Sequence, residues 1–165
     1  MQNDGPVWAW SGDWELENPV AGDVLPHDGI RISGSAERSQ DPDEGIWPDR
    51  IRLDGDEPRA RYRVTGRIVS ATDCFYDMGA GAGLQHSGAR VVLSVHEQPM
   101  QASVAAHARD LELGTRLTIR GDISLVHYYE WDAFDLVDTR RSWSVEDVRN
   151  LEPGYYLVLI RPMAD

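Results

Sequence analysis

Glu130, Asp132, Asp135 and Asp138 crowd one short stretch and are interleaved with Tyr128, Tyr129 and Trp131. Carboxylates flanked by aromatic rings support three kinds of chemistry. They can do acid–base work on a sugar. They can form a solvated turn beside a packing cluster. They can also grip an Arg- or Lys-rich partner, the acids steering its approach and the rings supplying buried area. The third reading assigns a partner surface to Tyr128, Tyr129, Glu130, Trp131, Asp132 and Asp135.

A second constellation is basic. Arg61, Arg63 and Arg67 recur at spacings of two and four, and Arg116 and Arg120 at a spacing of four. On paired strands they would merge into a stripe of the kind that tracks single-stranded nucleic acid. The stretch 37–57 is acidic enough to lie near that stripe and neutralise it.

Other signals are weaker. His27, His86, His96, His107 and His127 show no metal-ligand spacing. His96 with Glu97 and His127 with Glu130 would make a two-His, one-carboxylate site only if their strands were adjacent; scattered surface histidines are the simpler reading, and no metal or cofactor is assigned. Cys74 is the sole cysteine, has no catalytic motif around it and excludes an internal disulfide. The run Asp41 to Gly45 begins like a calcium loop but lacks the glycine and distal glutamate at the required offsets. The Gly-rich segment 77–88 lacks the GK[ST] ending and the following helix of a phosphate-binding loop, so it reads as a strand connection. No catalytic residue is assigned.

The elements that must position these groups follow from periodicity. Leu117, Ile119, Gly121, Ile123 and Leu125 alternate with Arg116, Thr118, Arg120, Asp122 and Ser124, a period of two that predicts a long half-buried strand inside 115–137. Segments 61–70 and 89–96 alternate in the same way, with Gly66 predicting a bulge or bend. The run 155–160 predicts a buried final strand. Met100, Val104, Ala108 and Leu111, after Pro99 and before Gly114, predict a helix over 99–111. Ser144 to Asp147 has capping-box form and predicts a helical turn or two to Asn150. Trp8 and Trp10 share a strand face. Residues 33–58 predict a loop or arm pinned by Ile46, Trp47, Ile51 and Leu53.

The expected fold is mainly β: a small antiparallel barrel or sandwich with an inserted helix and an irregular N-terminal extension. The expected organisation is an acidic, Trp-containing extension over 1–58, packed on a body over 59–165. From Arg61 to about Val137, the strand order, the mid-strand glycine and the GTRLTIRG segment resemble an OB-fold.

Composition narrows the partners. The chain has 165 residues, 28 acids, 16 arginines and no lysine, with a net charge of −12. Such a field opposes nucleic acid and anionic membranes and favours cationic partners. The all-Arg usage fits a GC-rich bacterial genome. The N-terminus shows no signal-peptide pattern and no apolar run has membrane-spanning length, so a cytoplasmic protein is expected. The leading expectation is a non-enzymatic acidic binding module, inhibitor- or immunity-like, that masks a cationic protein. The alternatives are an OB-like single-stranded nucleic-acid binder using the Arg stripe, or a small β-barrel enzyme or small-molecule binder.

Overall fold

The computed structural model describes residues 5–12, 16–77, 79–126 and 137–164. Their secondary structure is almost entirely β. The strands are β1 (Val7–Gly12), β2 (Val24–Asp28), β3 (Ile30–Arg38), β4 (Gly45–Arg52), β5 (Arg59–Asp77), β6 (Leu84–Val95), β7 (Gln98–Val104), β8 (Arg116–Leu125), β9 (Arg141–Glu152) and β10 (Tyr155–Pro162). They form one mixed sheet in the order β2-β9-β10-β1-β8-β3-β7-β6-β5-β4, and β8 pairs with β5 as well. That extra pairing sends the ladder round a partial ring through β5, β6, β7, β3 and β8.

The ring depends on the length of β5. Its first half pairs with β8 over Arg61–Arg67 and with β4 over Arg59–Thr65. Its second half pairs with β6 from Arg67 to Asp77. A residue's two ladder neighbours lie on opposite edges, so β4 and β6 share one edge of β5 and β8 takes the other. A register shift between Ile68 and Ser70 marks the bulge, two residues beyond Gly66. Gly66 itself permits a close approach, since a Cβ there would lie 2.8 Å from both the Ser94 carbonyl oxygen and Val95 Cγ2. Bulges increase twist, which lets one long strand serve two directions.

Alternation places the core inside this ring. Val64, Ile68, Val91, Leu93, Val95, Leu117, Ile119 and Ile123 are all buried, as their periodicity predicts. β3 adds Ile30 and Ile32, β7 adds Met100, Ala102 and Val104, and β1 and β10 extend the same cluster with Trp8, Leu157, Val158 and Ile160. Tyr62 also lies inside, its hydroxyl accepting the Trp8 backbone N–H at 2.7 Å. The strands at the two ends of the sheet order, β2 and β4, contain Pro26 and Pro48; proline tolerates an edge because no ladder donor is lost there.

Three expectations need correction. The helix over 99–111 is instead strand β7 followed by one 3-10 turn, Ala108–Asp110. Met100, Ala102 and Val104 satisfy a period of two as well as Met100, Val104 and Ala108 satisfy a helical one. The choice falls to pairing, because β6 lies antiparallel on one side and β3 parallel on the other. The helical turns over 144–150 are part of β9, which is held between β2 and β10. The irregular arm contains the second half of β3 and all of β4. There Ile46 and Leu53 pack against the core, whereas Ile51 is exposed.

The β6–β7 turn is strained. His96 and Glu97 have φ of 50° and 67°, the positive values a two-residue type I′ hairpin demands of both positions. Side chains other than Gly, Asn and Asp adopt them at a cost. Glu97→Gly should therefore stabilise the protein by about 0.5–1 kcal/mol, measured as a higher urea midpoint at unchanged slope.

Candidate functional site

The β5–β6 hairpin extends past the ring, and its far end is exposed at Phe75, Tyr76 and Leu84. At its base, Asp73 of β5 and His86 of β6 meet, with His86 Nε2 2.8 Å from Asp73 Oδ1. A third group arrives from the β7–β8 connection: the His107 ring stacks on His86 at 3.9 Å between centroids and 16° between planes. The next residue closes the arrangement, since the Ala108 N–H donates to the same Asp73 oxygen at 2.8 Å. Phe75 packs edge-on against His86 at 5.5 Å. The Ala108 amide, then the His86 hydrogen bond, holds the Asp73 carboxyl below its ordinary range. One nitrogen of each imidazole and one carboxylate oxygen lie within 4.8 Å of one another.

Nothing in the local spacing of residues points to this cluster. Two of its members are thirteen residues apart in the chain and meet only through the register of the hairpin; the third comes from a connection expected to be helical. The two-His, one-carboxylate site weighed from the sequence is not formed by described residues: His96 and Glu97 occupy the β6–β7 turn, and His127 and Glu130 lie outside the described part. Cys74 neighbours Asp73, but successive strand residues face opposite ways; its Sγ lies 3.8 Å from the Thr72 carbonyl oxygen.

The Arg stripe does assemble. Arg63 sits opposite Arg120 and Arg67 opposite Arg116, while Arg61 faces Asp122. The acidic segment reaches it through β4. Glu44 accepts from Arg67 at 3.0 Å and also from the His96 N–H at 3.2 Å. Asp49 lies 3.3 Å from Arg120. Trp47, opposite Arg63 in the ladder, receives its guanidinium over the ring at 4.5 Å. The calcium-like run from Asp41 to Gly45 thus has its Glu44 turned to an arginine.

The partner surface, Tyr128, Tyr129, Glu130, Trp131, Asp132 and Asp135, lies outside the described residues. Its C-terminal flank is visible. Arg140 donates to both oxygens of Asp138, at 2.9 and 3.0 Å, and its backbone N–H adds a further bond at 3.0 Å. The guanidinium hydrogen bonds hold the Asp138 carboxyl at about 2. A depressed carboxylate stabilises the folded state fully above its unfolded value, near 3.9, and loses that contribution as pH falls through about 2. Arg140→Ala should return Asp138 toward the ordinary range, read directly from its carboxyl chemical shift during an NMR titration.

A cleft of about 240 Å³ is lined by apolar side chains such as Ile30, Met100 and Trp143 and by the polar His96, Gln98 and Arg141. It is smaller than the roughly 300–1,000 Å³ typical of small-molecule sites, whereas more open grooves of about 450 Å³ beside His86 and His107 and about 730 Å³ beside Arg59 and Arg61 fall within that range. No family model, curated protein or solved structure matches the chain. Among the described residues no helix is long and apolar enough to cross a membrane.

Proposed function

We infer that the protein is a non-enzymatic binding module that captures a cationic protein partner, in the manner of an inhibitor or immunity protein. The observation supporting this reading is the internal use of the basic stripe. Glu44, Asp49 and Trp47 occupy Arg67, Arg120 and Arg63, so three of the five stripe arginines already have partners. The net charge of −12 then governs long-range encounters. Anchoring falls to the exposed rings of Phe75 and Tyr76 on the hairpin and to the aromatic and acidic residues of the sequence from Tyr128 to Asp135.

The nucleic-acid reading ranks second. The ring pairings suit an OB-fold whose fifth strand comes from the N-terminal side, with β5 to β8 as strands one to four and β3, parallel to β7, as the last. An OB-fold binds ligands on the face of its second and third strands, here β6 and β7. Val92 and Gln101, paired across those strands and facing away from the core, are both at 0% exposure. Burial at the centre of that face weighs against a strand of nucleic acid lying along it, although Ser94, Pro99 and Ser103 around it are half-buried.

Affinity capture with immobilised protein tests the proposal. The captured partner should be basic, elute with salt and be lost from Trp131→Ala while circular dichroism stays unchanged. Asp132→Asn should mainly slow association and flatten its salt dependence. A partner that is acidic, or that is retained by the folded Trp131→Ala variant at unchanged kinetics, would overturn the assignment. For the second reading, a dT20 oligonucleotide should show no tight binding at about 0.15 M salt; tight, salt-sensitive binding would reverse the ranking.

A further inference from the structure

We propose that Asp73, His86 and His107 form a binding site for a divalent transition metal, zinc in the first instance, that ties the β5–β6 hairpin to the β7–β8 connection. This stands apart from the reading of the partner. Two imidazoles and one carboxylate are the nitrogen–oxygen donor set preferred by borderline divalent ions over calcium or magnesium. The three donor atoms already lie within 4.8 Å of one another. Around one zinc, donors at about 2.0–2.1 Å stand about 3.4 Å apart in a tetrahedron, so no pair need close by more than about 1.4 Å. The side chains have room for that movement, because Asp73 and His86 are half-buried and His107 is exposed.

The surroundings are those of a metal site rather than of a chance encounter. Ligand carboxylates are usually held by a further hydrogen bond, and Asp73 is held by the Ala108 N–H at 2.8 Å. The His86 ring is fixed from the side by Phe75. Without a cation, the Asp73–His86 hydrogen bond occupies one imidazole nitrogen with a proton. The ion takes that proton's place, and His107 needs only to tilt from its stacked position to supply the third ligand. Three protein ligands leave a fourth position for water or for a donor from a partner. Each ligand comes from a different element, so the ion acts as a cross-link at the base of the exposed hairpin.

Isothermal titration of the metal-free full chain with zinc chloride tests the site. One equivalent should bind. His107→Ala and Asp73→Asn should each weaken the interaction at least tenfold, while His27→Ala, on the distant β2, should leave it unchanged. An NMR titration of the unaltered protein keeps the test independent of variant folding: the imidazole signals of His86 and His107 should shift together and reach their end point at one equivalent. The proposal is overturned if no zinc binds below about 100 μM, a bound weaker than about 5.5 kcal/mol in free energy. It is equally overturned if the His86→Ala/His107→Ala double variant binds as tightly as the parent, or if the ion moves other histidine signals instead.

Discussion

Gly121→Ala is expected to destabilise the protein by about 3 kcal/mol or more, the upper range for single substitutions. Gly121 of β8 and Gly34 of β3 are register partners. Their backbones run so close that a Cβ on Gly121 would lie 1.9 Å from the Ser33 carbonyl oxygen, and one on Gly34 would lie 1.9 Å from that of Arg120. Both obstacles are main chain, which no rotamer change can move aside. The strands would have to separate at the point where β8 is also paired to β5. Gly34→Ala should behave similarly, and the two costs should not add, because either one already parts the same strands. Gly5→Ala is the control: nothing lies within 4 Å of a Cβ there, and its cost should stay within about 0.5 kcal/mol. Urea unfolding of the three variants checks the set. A Gly121→Ala midpoint equal to that of Gly5→Ala would refute the close approach.

The second large effect is expected at Ile119. Its side chain is completely buried. In the ladders it lies opposite Val64 of β5 on one side and Ala36 of β3 on the other. Ile119→Ala should cost about 2–5 kcal/mol, the usual range when a buried aliphatic side chain leaves a cavity that rigid neighbours cannot fill. An unchanged urea midpoint would mean that the faces of β8 are reversed. The exposed neighbour Arg120 offers the contrast. Its ion pair with Asp49 is at the surface, where such pairs contribute about 0–1 kcal/mol, so Arg120→Ala should shift the midpoint far less.

These two sites also show what the sequence could reveal. Alternation identifies Ile119 as core and Arg120 as surface, because each strand writes its own period of two. The same pattern puts Gly121 on the inward face but cannot say why glycine stands there: the reason is a carbonyl on a strand far away in the chain. The helix expected over 99–111 fails on similar grounds. Met100 and Val104 fit both periods, and the neighbours that decide between them, β3 and β6, are not local. The Asp73, His86 and His107 cluster is invisible in the sequence because none of its ligands follows a fixed spacing. By contrast, the Arg stripe and its ion pairs from Glu44 and Asp49 are legible, since a run of arginines on alternating positions and a nearby acid-rich segment are both compositional facts.

β3 sits in the sheet between β7 and β8, both of which are made long after it. During synthesis at about 5–20 residues per second, the roughly 80–95 residues that separate β3 from its β8 partners take about 4–19 s to emerge. Its β7 partners emerge somewhat earlier, 70 residues after it, but until β8 follows, one edge of β3 stays open and its Ile30 and Ile32 have no closed ring to enter. The chain therefore matures late: the early strands wait for the last third before the ladder can close. A ribosome stalled before β8 would hold a sticky, open-edged intermediate, the kind of species that chaperones bind and that aggregates when they are scarce.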